Sequence, residues 1–197
     1  MKKLFSLIAA VLAAGTMQAQ MAVGEFSVIP KVGLNLASLT KQDNSKINVG
    51  IALGAEAEYQ VLDFLGVSAG LMYSQQGVSY DVEGTNKLNI NYLNIPVTAN
   101  FYVYPNLALH VGLQPGFRLT ATDKEEKGNT KKVTDVKDKV EGFDLSIPMG
   151  VSYEYMNCVF DVRYNLGATK VIKGPNAPSS RNSVFMISLG YRFNLQL

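Results

Sequence analysis

Nine charged residues stand where their neighbours alternate between apolar and small side chains: Lys31, Glu56, Glu58, Arg118, Asp144, Glu154, Asp161, Arg163 and Arg192. Glu56 and Glu58 are two residues apart, as are Asp161 and Arg163, so in an extended chain each couple projects from one face. Both signs occur, spread along the chain. That pattern suits ion pairs in a shared interior, where a charge left unpaired costs several kcal/mol. The expected pairs are Asp161 with Arg192, Lys31 with Glu56 or Glu58, and Arg118 with Asp144. The alternative chemistry for the same groups is a gated path for ions. Catalysis has less to stand on. His110 is the only histidine and Cys158 the only cysteine. This excludes an intrachain disulfide and a Cys-rich metal site, and leaves zinc dependent on carboxylates. A nucleophile needs a neighbouring base, and His110, three residues after a tight turn, is read as filling the interior. No catalytic residue, cofactor or metal site is assigned.

The elements that carry these charges are strands, because apolar residues recur every second position. Eight are expected: Ser27–Ala37, Ile47–Tyr59, Leu65–Tyr80, Leu88–Tyr104, Leu107–Thr122, Phe143–Tyr155, Cys158–Thr169 and Ser183–Leu197. In the second, Val49, Ile51, Leu53, Ala55, Ala57 and Tyr59 alternate with Asn48, Gly50, Ala52, Gly54, Glu56 and Glu58. In the last, Phe185, Ile187, Leu189, Tyr191, Phe193 and Leu195 alternate with Met186, Ser188, Gly190, Arg192 and Asn194. Most exceed the ~9–11 residues that a tilted strand needs to cross a bilayer. Connections alternate between short (61–64, 105–106, 156–157) and long (39–46, 81–87, 123–142, 170–182). Short turns below and long loops above are the topology of an outer-membrane barrel.

Alternation alone does not say which face is inside, since a soluble lipocalin-like barrel would bury the apolar one. Here the other face is crowded with Gly, Ser and Ala, which suits a narrow lumen. Aromatics gather near the tight turns (Tyr59, Phe64, Tyr104, Tyr153, Tyr155, Phe160, Tyr191, Phe193), as in an interfacial girdle. The chain is therefore read as all-β, an eight-stranded antiparallel up-and-down transmembrane β-barrel, with the polar face inward. Four prolines, Pro30, Pro96, Pro115 and Pro148, fall inside the strands, and bulges are expected at them, with a change of face near Pro30 and Pro115. The charged stretch 123–142 is read as a solvated loop, a hairpin prolonging its flanking strands, or, from the spacing of Val133, Val136 and Val140, a short helix.

The chain of 197 residues suits one domain, and 47% hydrophobic with 17% charged residues argues against disorder. Residues 1–19 read as a signal peptide: Lys2 and Lys3, an apolar core from Leu4 to Ala14, and Ala19 as the expected cleavage residue. Residues 20–197 are then the barrel domain, exported to the outer membrane. Without Lys2 and Lys3 the 18 basic residues fall to 16, matching 16 acidic ones, so nothing points to nucleic acid. No later apolar run approaches the roughly 18 residues of a spanning helix, which leaves a barrel as the membrane form.

Several stretches in order resemble the PorT-like outer-membrane β-barrel family: Gly33-Leu34-Asn35, Gly70 to Gly77 (GLMYSQQG), Tyr92 to Pro96 (YLNIP), Asp161 to Gly167 (DVRYNLG) and Gly190-Tyr191-Arg192-Phe193. Asn94 stands where that family's motif carries an acid. The end of the chain, with Ser188, Gly190, Phe193 and Leu195, resembles the C-terminal insertion signal of outer-membrane barrels. These resemblances imply outer-membrane lipid and the barrel-assembly machinery as partners, and a role accessory to a secretion or envelope complex. They assign no functional residue. The expected activity is non-enzymatic, that of a membrane-anchored scaffold or binding protein acting through surface loops. The alternatives are a narrow pore and a lipid-modifying enzyme.

Overall fold

The computed structural model describes residues 22–40, 45–81, 85–127, 130–174 and 179–195; the expected signal peptide lies outside them. The strands are β1 (Phe26–Leu39), β2 (Ser45–Leu62), β3 (Leu65–Asp81), β4 (Thr85–Asn94), β5 (Val97–Tyr104), β6 (Leu107–Lys127), β7 (Thr130–Asp135), β8 (Phe143–Tyr155), β9 (Cys158–Gly167), β10 (Asn182–Tyr191) and β11 (Phe193–Leu195). They form one 11-stranded antiparallel sheet. It closes because β1 pairs with β2 along one edge and with β10 and β11 along the other. β4 with β5, and β10 with β11, each form one interrupted stave. The barrel thus has eight staves, with β7 added beside β6.

Burial decides which face is inside. Val32, Leu53 and Leu71 are 59%, 56% and 57% exposed, while Asp161 and Arg163 are 1% exposed. An apolar surface running around the wall is costly in water and required in hydrocarbon. The polar face, with its glycines and serines, is the lumen.

Two expected strands are broken. The fourth parts at Ile95–Pro96, yet its register on β3 is the same on both sides: Met72 faces Asn94 and Ala69 faces Val97. The break is eased by Ile95 N–H donating to Pro115 O and Gly70 N–H donating to Pro96 O. The eighth parts at Arg192, whose N–H donates to Asn157 O. No change of face occurs at Pro30 or at Pro115 itself; in β6 the change comes further on, at the bulge between Arg118 and Thr120, after which Ala121 faces inward opposite Ile90. Pro30 pairs in register with Ala55, and residues on either side keep their parity. Pro148 likewise sits opposite Asn165. The register shifts lie elsewhere, between Ile47 and Ala52, Gln60 and Leu62, Asn91 and Tyr92, and Tyr102 and Tyr104. The first lies opposite Gly77, whose φ of 130° only glycine adopts freely.

β6 continues to Lys127, five residues past its expected end, and turns back as β7. The first part of the stretch 123–142, as far as Asp135, is thus a hairpin prolonging the expected fifth strand. It is followed by a 3-10 turn at Lys137–Lys139, all that forms of the expected helix. At the opposite end, Met156 and Asn157 both have positive φ (48° and 65°), the two-residue hairpin geometry that matches strand twist.

Candidate functional site

The lumen is built in levels by side chains on alternate positions of every stave. Nearest the tight turns, the break at Arg192 aims its guanidinium inward. Its Nε donates to Glu154 Oε2 at 2.8 Å, Nη1 to Ser27 Oγ at 2.7 Å, and both terminal nitrogens to Glu58 Oε2 at 3.2 Å. Tyr102 accepts from Arg192 Nη2 at 3.2 Å and donates to Glu58 Oε1 at 2.5 Å. One arginine thereby ties β1, β2, β5 and β8 to the last stave. Above it, Arg163 donates to Glu56 at 2.8 and 3.3 Å and to Asp161 at 3.0 Å. Lys31 Nζ lies between the same two carboxylates, 2.7 Å from Glu56 and 3.2 Å from Asp161. His110 Nε2 accepts from Arg163 Nε at 3.3 Å and is 3.8 Å from Asp161 Oδ2. The cavity left between the two clusters is only ≈ 10 Å³, about one water.

Of the expected pairs, Lys31 with Glu56 is present. Asp161 and Arg192 are paired differently, because Ser188 faces Asp161 across the strands and Arg192 lies four residues further toward the tight turns. At about 3.3 Å per residue that is some 13 Å away. Arg118 and Asp144 also find other partners. Asp144 is level with Gly116, two residues below Arg118. Asp144 Oδ1 accepts from Thr169 Oγ1 at 3.0 Å. Arg118 Nη1 donates to the carbonyls of Lys137 and, at 2.5 Å, Val140.

Those carbonyls belong to segment 136–142, which folds into the loop end of the barrel. Val136 and Val140 pack against Leu39, Val78, Ile90, Tyr92 and Ala121 from the wall and Val171 from the connection after β9. Backbone bonds join the two connections: Glu141 N–H to Val171 O and Lys173 N–H to Lys139 O. Outside the barrel, Asp135 Oδ1 accepts from Lys137 N–H at 2.9 Å, which holds this carboxyl below its ordinary range with help from the Lys137 ammonium. Sequence reasoning missed this plug. The valine spacing was its one signal, and parity cannot place a segment that is not a strand. Tyr102 and Ser27 were missed as network members, although Tyr102 stands on the inward face of its strand.

Beyond the plug, β6 and β7 project past the start of β8, which leaves β6 at Phe117 opposite Phe143. Among the described residues β7 pairs with β6 alone, so its outer edge has no strand beside it. Val133 on β7 is 61% exposed. At the chain's end, Ser188 and Gly190 face the lumen from β10, and Phe193 and Leu195 lie exposed on β11.

A family model described as outer membrane protein β-barrel domain matches residues 18–173. No curated protein matches the chain. Among solved structures, Ail, the attachment invasion locus protein of Yersinia pestis, superposes with a TM-score of 0.53 at 18% identity over 87% of this chain and 100% of that one. Neisserial surface protein A superposes with a TM-score of 0.49 at 14% identity, over 85% and 97%.

Proposed function

The chain belongs to the outer membrane protein β-barrel domain family, and on that premise we propose that it is a non-enzymatic, membrane-anchored binding protein whose long-loop end engages a protein partner of the cell envelope. It resides in the outer membrane. We place the tight turns in the periplasm and the loops outside, read residues 1–19 as the export signal, and read the motifs from Gly33 to Phe193 as those of the PorT-like members. Lipid surrounds the apolar wall, and the barrel-assembly machinery recognises the C-terminal stave with Ser188, Gly190, Phe193 and Leu195.

The observation that carries the reading is the free outer edge of β7. An exposed edge presents backbone donors and acceptors to which a partner strand adds. The interior supports it from the other side. The charges of the two clusters below the mouth compensate one another within 4 Å, which leaves the extramembrane sheet as the surface free to recognise something. A photo-crosslinking residue at Val133 tests it in intact outer membranes, with one at lipid-facing Val32 as control. The expected result is one protein adduct from Val133, absent from Val32. In a β-ladder, N–H groups alternate between the two edges. One of Val133→Pro and Thr134→Pro therefore removes a donor from the free edge and is expected to abolish the adduct while the barrel stays folded. Adducts that survive both substitutions would rule out strand addition.

A further inference from the structure

The interior changes character at its outer mouth. Below are ion pairs and amides; at the mouth the wall presents Leu39, Val78, Ile90 and Tyr92, and the space before them is filled by Val136 and Val140. We propose that this mouth is a binding site for a small apolar molecule bearing one hydroxyl-like group, and that segment 136–142 is its lid, with Val136 and Val140 standing in the ligand's place.

Three features argue for a movable lid. The segment contributes those two valines, and the 3-10 turn between them buries nothing and exposes Asp138 and Lys139. It is held by two side chains, Arg118 donating to the carbonyls of Lys137 and Val140 and Asp135 accepting from Lys137 N–H, and by four backbone bonds to its neighbours: Val136 N–H to Ala121 O, Lys173 N–H to Lys139 O, Glu141 N–H to Val171 O and Arg118 N–H to Gly142 O. Each of these groups can turn to water when the segment swings outward. Finally, polar atoms beside the apolar wall are left without partners. Asn182 is 2% exposed, its Nδ2 reaches Tyr92 OH at 3.5 Å, and its Oδ1 accepts nothing. Arg118 faces Tyr92 across the strands, and its Nε donates to nothing. An acceptor and a donor flanking one tyrosine fit a group that both donates and accepts, which a hydroxyl does.

The inference is independent of the β7 edge, and its test reads different residues. In lipid nanodiscs, 1-hexanol is titrated against the wild type, Val136→Ala/Val140→Ala and Asn182→Ala, with the isoleucine methyl signals followed by NMR. Saturable shifts are expected at Ile90, about tenfold tighter in the double variant, because a lid closed nine-tenths of the time reduces apparent affinity by that factor. Asn182→Ala weakens them. Shifts confined to lipid-facing Ile51 and Ile187, in a double variant whose gel mobility still changes on heating, would overturn the site. The lid is read separately, in a Cys158→Ser background, from the reaction of Val140→Cys with a charged maleimide. Adding Arg118→Ala is expected to speed it at least about tenfold, the shift from a mostly closed to a mostly open lid. Equal rates would overturn the latch.

Discussion

Arg163 is the side chain on which the interior depends most. It satisfies Glu56 and Asp161 together, and all three are almost wholly buried. Arg163→Ala leaves Lys31 to compensate both carboxylates, and breaking a buried pair in this way costs about 3–5 kcal/mol. The expected outcome is a lower urea midpoint, read as loss of the heat-sensitive gel mobility of the folded barrel. Removing both charges together with Glu56→Leu/Arg163→Met keeps Lys31 on Asp161 at 3.2 Å. That variant is expected to recover most of the loss, and if it is no more stable than Arg163→Ala, electrostatic compensation is not what the cluster provides. Every charge in these clusters was legible in the sequence, because parity places a residue on a face. The partners were legible only in part. Pairing depends on height and on which staves face each other, and both follow from strand tilt and register. Hence Lys31 with Glu56, on adjacent staves, could be read, while Arg192 was assigned to Asp161, one level too high.

Strands and turns carry their own constraints. Gly77 has φ 130°, and a Cβ there would lie 1.9 Å from Leu88 O. Gly77→Ala is therefore expected to cost about 1–3 kcal/mol, the range for a residue held in a sparsely populated conformation. Gly142→Ala meets no atom within 4 Å and should stay within about 0.5 kcal/mol. Comparable folding yields for the two would remove the close approach at Gly77 as a constraint on register. Met156, with φ 48° in the turn between β8 and β9, invites the opposite change. Asn tolerates the left-handed region, so Met156→Asn is expected to stabilise the barrel by about 1 kcal/mol, seen as a higher denaturation midpoint. The strand positions were legible because period 2 holds along most of every stave and passes through the prolines, the inward parity of β6 changing only beyond Arg118, where Ala121 turns in opposite Ile90. Pro30 and Pro148 leave the register undisturbed, so a missing ladder donor did not by itself force a bulge. What could not be read was the plug. Val136 and Val140 stand outside the period-2 pattern, and their place is set by the curved wall around them.

Taken whole, the molecule is an apolar cylinder with a filled interior, and this bears on whether it transports. Eight strands enclose just enough room for their own side chains. Here those side chains bridge opposite walls twice, once through Arg192 and once through Arg163, with ≈ 10 Å³ left between. The apolar plug then closes the loop end. A hydrated ion would need both clusters to part, leaving buried charges without partners, and opening the plug alone would not achieve that. Single-channel recording in planar bilayers is therefore expected to show no steady conductance, for the wild type and equally for Arg118→Ala, in which the lid is unlatched. Steady current from the wild type would favour the pore and displace the binding reading. Current from Arg118→Ala alone would mean that the charged levels are no barrier and that the plug is the gate. Silence from both leaves the ends of the barrel as its active surfaces, with the free edge of β7 outermost.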